Sequence, residues 1–380
     1  MKPLAKSPLK LLSLVVLSLG SAKSFAAVSD GPYLVPGDRG QWVARWVDAG
    51  GRDAVARSQP VTVGKEFTVP AVGACPAFKV RVRKPEPVAP SEVRFPKQNP
   101  LFVLADTHGE YQILCEFLQK QRLIDSSLHW VFGRGHLVVT GDIFDRGPNQ
   151  TEILWLFYQL EAEAKRAGGG LHLLLGNHEV MAMRGDTGYL NDKYKQTASA
   201  LGVSAYAELF APNTLLGQWL RSKPIVLKAN SVVAMHGGLS KDVLASGLSL
   251  REINDTARAV LSQPGDSKTE MSEREKLVMG KLGPLWFRGY FAEQTDFPTA
   301  SDEDVSHVLE TFGVQTIAVG HTIVPTVTPL YAGKVLAVQV YPHLDKQSGA
   351  PVLEGAVLVD NVWQRARIDG SREPIYSVGK

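Results

Sequence analysis

The sequence predicts an α/β protein preceded by a small all-β unit. Up to about residue 83, apolar residues alternate with polar ones at period two, the signature of half-buried strands. From about residue 100, short apolar runs of strand length alternate with helical segments such as "EILWLFYQLEAEAKRA", the pattern of α/β layers. Five of those runs end in Asp, Asn or His beside glycine. Sites in open α/β sheets gather beyond the carboxyl ends of strands.

The chain opens with lysines at 2, 6, 10 and 23 and no acidic residue before position 27, flanking the apolar stretch "LLSLVVLSLG". That stretch is too short to span a bilayer. With small residues at Ser24 and Ala26 it reads as a cleavable export signal over residues 1–26, which places the mature chain in the periplasm or outside the cell, without a membrane anchor. The formal charge of the 380-residue chain is +3, but removing the leader leaves 37 basic against 38 acidic residues. No dense basic run remains, so nucleic acid is not an expected partner.

Residues 27–83 form the expected β unit. "QWVARWVD" and "FKVRVRK" place Trp42 with Trp46, and Val80 with Val82, on one strand face each, with "DAGGRD" as a turn. "KPEPVAPSEVRFPKQNP" then packs five prolines into residues 84–100 and reads as a stiff linker or wrap over 84–99, and the larger domain is expected over 100–370. No internal repeat or low-complexity tract appears. The two cysteines do not make a disulfide framework. Cys115, in "YQILCEFLQ" with Leu114, Phe117 and Leu118, reads as a small buried thiol on a helix face. Arg81 follows Cys75 by six residues, a spacing seen in cysteine-dependent phosphatases, but "FKVRVR" alternates like a strand and cannot wrap a phosphate. "RGD" at 184–186 is too short to mean adhesion.

The five strand ends are "LFVLADTHG", "HLVVTGDIFDRG", "LHLLLGNHE", "SVVAMHGG" and "TIAVGHT". Asp106 and His108 lie two apart, so on extended chain they point the same way. Asp142, Asn177, His236 and His321 add further oxygen and nitrogen donors. Without cysteine, the set suits first-row divalent ions such as manganese, iron or zinc. Six donors exceed the needs of a single open zinc site, and a carboxylate can bridge, so two ions are the economical solution. Asp145, Arg146, His178 and Arg288 remain. Arginine matches phosphate oxygens with a planar fork, and a histidine beside a carboxylate is a natural general acid. Together these groups specify phosphoryl transfer to water. The remaining histidines at 129, 136, 172, 307 and 343 receive no role.

The ordered blocks D-x-H-G, G-D-x-x-D-R-G, G-N-H-E, H-G-G, R-G and G-H-T resemble the phosphoprotein phosphatases, dinuclear calcineurin-like metallophosphoesterases. "GNHEVMAMRGD" and "PLWFRGY", with the export signal, are most similar to the bacterial Shewanella-like branch. The resemblance covers about residues 100–340 and implies a β-sandwich flanked by helices. It further implies one ion on Asp106, His108 and a bridging Asp142, and a second on Asp142, Asn177, His236 and His321. Arg146 and Arg288 would bind phosphate, and His178, oriented by Asp145, would protonate the leaving oxygen. The implied reaction is hydrolysis of a phosphorylated protein or peptide, phosphotyrosine above all, by a metal-bridging hydroxide. Related bacterial enzymes cleave dinucleoside polyphosphates, so a nucleotide hydrolase is the alternative, and a metal-stabilised binding module is the non-enzymatic one. Two departures stand out: Ala105 occupies a position where the family has glycine, and no segment matches the eukaryotic C-terminal groove. The β unit lies outside the resemblance and reads as a packing domain that buttresses the other.

Overall fold

The computed structural model describes residues 29–50, 53–263 and 270–378; the leader expected at 1–26 lies outside them. Two six-stranded sheets form the larger domain. One has the spatial order Arg372–Ser377, Val362–Arg367, Glu354–Val359, Leu101–Leu104, His136–Val139, Gly170–Leu173. Its last three strands are parallel, in register from Leu101 opposite His136 and from His136 opposite Gly170. The other runs Thr328–Leu330, Val335–Ala337, Thr316–Val319, Val232–Met235, Val226–Ala229, Glu92–Val93, with Val232–Met235 parallel to Thr316–Val319.

The runs LFVL, HLVV, VVAM and TIAV are buried at every position, as expected of strands covered on both faces. Contact between the sheets is direct: the buried Trp363 indole donates to Thr316 Oγ1 at 3.3 Å. This is the sandwich that the motif order implies. The first sheet continues to Ser377, past residue 370, because its final strand pairs with Val362–Arg367.

The Gln150–Arg166 helix explains the N-terminal unit. Every residue from Ile153 to Tyr158 is buried, so this stretch of the helix is apolar all round and needs cover on more than one side. One side packs on the Gly170–Leu173 strand; another lies under the Asp30–Pro36 and Phe78–Arg81 strands of the unit. Phe67 meets Trp155 edge to face at 4.8 Å, and the Trp155 indole donates to Pro32 O at 2.9 Å. The unit itself is a three-stranded antiparallel sheet, Asp30–Pro36, Trp42–Gly50 and Asp53–Val61, beside a hairpin of Glu66–Val69 with Phe78–Arg81.

The proline-rich stretch wraps. Its Glu92–Val93 pair adds an edge strand to the second sheet, and Ser91 Oγ accepts from Asn254 Nδ2 at 2.8 Å. Both cysteines are buried thiols, and Cys75 Sγ lies 3.9 Å from the Tyr111 carbonyl at the start of the Tyr111–Lys120 helix that carries Cys115. Arg81 faces outward on its strand, paired with Glu66 at 2.9 Å, so no phosphate loop surrounds Cys75. Among the described residues, no helix is long and apolar enough to cross a membrane.

Candidate active site

All five strand ends converge. Asp106, Asp142 and Asn177 follow three parallel strands of the first sheet; His236 and His321 follow two parallel strands of the second. The turns pack too closely for side chains: a Cβ on Gly141 would stand 2.1 Å from Gly176 N, and one on Gly176 would stand 2.1 Å from Asp142 Oδ1. Half of the ten residues singled out above adopt left-handed backbone, with φ of 41° at His108, 55° at Asp142, 70° at Asp145, 65° at Arg146 and 61° at His321. Such strain costs about 1–2 kcal/mol per residue and persists only where the surroundings enforce it.

Glu179 is the main enforcer. Its fully buried carboxylate accepts from the backbone N–H of Asp142 at 2.8 Å, Ile143 at 2.6 Å, Phe144 at 3.2 Å and Gly176 at 2.7 Å, tying two strand ends together. The sequence displays it in G-N-H-E, but only the fold reveals what it holds.

The donors face one another. His236 Nε2 lies 3.1 Å from Asp142 Oδ2, 2.8 Å from Asn177 Oδ1 and 3.0 Å from His321 Nδ1. Its Nδ1 is satisfied by Thr140 O at 3.0 Å, which aims the other nitrogen inward. On the other side of Asp142 Oδ2 stands His108 Nε2, at 3.7 Å, itself 3.9 Å from Asp106 Oδ2 and anchored through Nδ1 to Phe144 O at 2.8 Å. A first-row ion held about 2.1 Å from each donor spaces its ligands about 3 Å apart. Asp142, His236 and His321 keep their ligand atoms within 4.8 Å of one another, as do His108, Asp142 and His178. Asp142 belongs to both groups, the position of a bridge. The buried His321 Nε2 has no hydrogen-bond partner among the described residues.

Charge follows the same plan. Burial, reinforced by Asp142 and opposed by His236, lifts the Asp106 carboxyl to about 7. Burial acts on Asp142 in the same direction, yet His236, His178 and His108 hold it well below the ordinary carboxylate range. Burial disfavours a charged His236, but Asp142 and Asp106 raise it to about 9. His108 and His321 are driven down chiefly by burial, to about 4 and about 2. Neutral imidazoles at His108 and His321, beside carboxylates that hold a proton on His236, form a donor set fitted to divalent metal.

The remaining residues stand around this centre. His178 Nδ1 meets Asp145 Oδ2 at 2.6 Å, and burial of the imidazole is outweighed by Asp145 and Asp142, which raise its pKa. A cavity of about 540 Å³ is bordered by Asp106, His108, Asp142, Arg146, Asn177, His178, Arg288 and His321. His236 lies beneath it, fully buried, and Asp145 behind His178. Tyr189 and Tyr341, which no sequence motif marks, frame the mouth: the Arg146 guanidinium is 6.0 Å from one ring and 5.8 Å from the other. Tyr189 also packs edge-on against His178 at 5.2 Å.

A sandwich whose strand ends present this donor set is the architecture of a metallophosphoesterase. The calcineurin-like phosphoesterase profile matches residues 100–325, and the chain belongs to that family. It also resembles the Shewanella-like protein phosphatases. It is 38% identical over 102 residues to Shewanella-like protein phosphatase 2 of Arabidopsis thaliana, covering 27% of this chain and 26% of that one. It is 25% identical over 227 residues to Shewanella-like protein phosphatase 1 of Plasmodium berghei, covering 60% of this chain and 62% of that one. The chain thus spans less than two thirds of either relative. The crystal structure of a cold-active protein-tyrosine phosphatase from a psychrophilic Shewanella species superposes with a TM-score of 0.80 at 33% identity, over 92% of this chain and 99% of that one.

Proposed function

We propose that this protein is an exported, metal-dependent phosphomonoesterase that acts on phosphoproteins and prefers phosphotyrosine. The observation that carries the reading is one cavity bordered by five of the six donors, two arginines and the His178 imidazole, with His236 beneath it. Two divalent ions of the manganese, iron or zinc kind, when bound, supply a hydroxide nucleophile and neutralise phosphoryl charge. Arg146 and Arg288 hold the phosphate oxygens, each guanidinium matching them as a fork. Asp145 accepts a hydrogen bond from the Nδ1–H of His178, so Nε2 faces the cavity and hands its proton to the departing oxygen.

The aromatic rim supports phosphotyrosine. Tyr189 and Ile323 are 57% and 60% exposed beside the cavity, an apolar surface on which a substrate ring can lie. A binding module would have no use for the His178–Asp145 pair beside phosphate-matching arginines. Turnover of matched phosphotyrosine and phosphoserine peptides and of a dinucleoside polyphosphate, on metal-defined protein, tests the reading. The phosphotyrosine peptide is expected to have the highest kcat/KM; a dominant rate on the dinucleoside polyphosphate establishes a nucleotide hydrolase instead. Export with cleavage after Ala26 is checked by N-terminal sequencing of the mature protein; a purely cytoplasmic chain beginning at Met1 contradicts it.

A further inference from the structure

The N-terminal unit reaches the active site through a buried chain of hydrogen bonds. The Asp145 backbone N–H donates to Gln150 Oε1 at 2.7 Å. The Gln150 amide donates in turn to the Tyr206 hydroxyl. Tyr33, on the Asp30–Pro36 strand, donates to Asp30 Oδ2 at 2.7 Å and lies 3.0 Å from Thr151 Oγ1. Asp30 is balanced by Lys193 at 3.6 Å. Tyr33, Asp145, Gln150 and Thr151 are all fully excluded from solvent, where a polar group left without its partner is costly.

This chain ends where it matters. Asp145 and Arg146 are consecutive non-glycine residues with left-handed backbone, a conformation that persists only when neighbours over-determine it. Beyond His178, the Asp145 carboxylate has little to steer it, since Oδ1 has no hydrogen-bond partner. Its direction is therefore set by its own backbone, and Gln150 grips that backbone.

We propose that Tyr33 of the N-terminal unit, acting through Thr151 and the adjacent Gln150, is a positioning residue for the general acid: it fixes the Asp145 backbone and so the direction of the His178 imidazole. The proposal rests on His178 being the proton donor to the leaving oxygen. It makes the unit part of the catalytic apparatus, although it lies outside the residues 100–325 that the family profile matches.

The test uses the full, metal-loaded chain and two substrates. The p-nitrophenolate of p-nitrophenyl phosphate leaves without a proton, whereas the alkoxide of a phosphoserine peptide requires one. Tyr33→Phe keeps the ring, which packs edge-on to Phe210 at 5.8 Å, and removes the hydroxyl. Its kcat on phosphoserine is expected to fall roughly tenfold, a part of the ~10²–10⁴-fold that a general acid supplies. The kcat on p-nitrophenyl phosphate, KM on both substrates and metal content should hold. Tyr206→Phe should repeat the pattern, and Tyr33→Phe should add no phosphoserine loss in an Asp145→Asn background. Equal losses on both substrates, an unchanged phosphoserine rate, or a further loss in the Asp145→Asn background overturns the relay. A wild-type chain that hydrolyses neither substrate overturns the phosphatase reading itself, and the relay with it.

Discussion

The strand His136–Val139 has buried histidines near both of its ends, and they do opposite things. At its amino end, His136 lies 3.0 Å from His172 on the neighbouring strand and stacks on Phe95 at 3.7 Å. Past its carboxyl end, Asp142 stands among His108, His178 and His236. Burial alone drives His136 down to about 4; burial, helped by His136, drives His172 to about 3. The shared hydrogen bond fits two neutral rings, one donating and one accepting. At the other end, burial still holds His108 at about 4 and His321 at about 2, but Asp142 and Asp106 reverse the outcome for His236, which rises to about 9. Buried histidine by itself makes a packed pair; buried histidine around a shared carboxylate makes a donor cluster that could hold a cation.

The largest effect should come from removing the bridge. Asp142→Asn leaves an amide with no charge to share between two ions, so nucleophile, orientation and charge neutralisation are lost together. Activity should fall beyond the ~10⁴-fold upper end of general acid catalysis. Chelation should do the same, while alkylation of the buried Cys75 and Cys115 under native conditions leaves most activity in place. The reverse pattern would restore a cysteine mechanism.

Replacing the acid comes next. A tyrosine phenol has a pKa of about 10 and leaves fairly well unaided, whereas a serine alkoxide does not. His178→Asn should cost ~10²–10⁴-fold in kcat on a phosphoserine peptide and clearly less on its phosphotyrosine match. Asp145→Asn should show a weaker version of the same asymmetry. Equal losses on both peptides would mean that His178 positions substrate or metal and donates no proton.

Arg288→Ala should be milder, raising KM and lowering kcat while metal content stays constant. A charged hydrogen bond worth roughly 1.5–3 kcal/mol corresponds to ~10–150-fold in kcat/KM. Lysine should rescue poorly for want of the planar fork. Wild-type kinetics on every phosphate ester would remove Arg288 from the site.

The amino end of the strand yields the smallest effect. The folded pKa values of His136 and His172 lie below the ordinary 6.5, so the unfolded chain binds more protons in acid. Their contribution to stability is complete above pH 6.5 and is lost as pH falls from there through about 4 and about 3. Each site can add at most about 1.4 kcal/mol per pH unit to that slope. His172→Gln should flatten the acid limb of a denaturation series; an unaltered limb would show that the pair protonates freely.

Much of this site was legible in the sequence because its ligands sit at fixed offsets from short apolar strands. Asp106, Asp142, Asn177, His236 and His321 each close such a run, and strand geometry brings those ends together. What escaped are the residues that hold the ligands. Glu179 stands inside a motif, but its four backbone partners at two strand ends exist only in the fold. Tyr33 lies 118 residues from Thr151, Gln150 lies 56 from Tyr206, and no periodicity links either pair. The N-terminal unit reads in the sequence as a packing domain, but what it covers, the Gln150–Arg166 helix buried at every residue from Ile153 to Tyr158, is visible only in the fold.

The central claim, that Asp142 bridges two ions, is tested most directly by counting metal per chain in the wild type, Asp142→Asn and Asp145→Asn. Two ions are expected in the wild type and in Asp145→Asn, and fewer than one in Asp142→Asn, whose loss empties both positions. A single ion in the wild type, or two retained by Asp142→Asn, would contradict it.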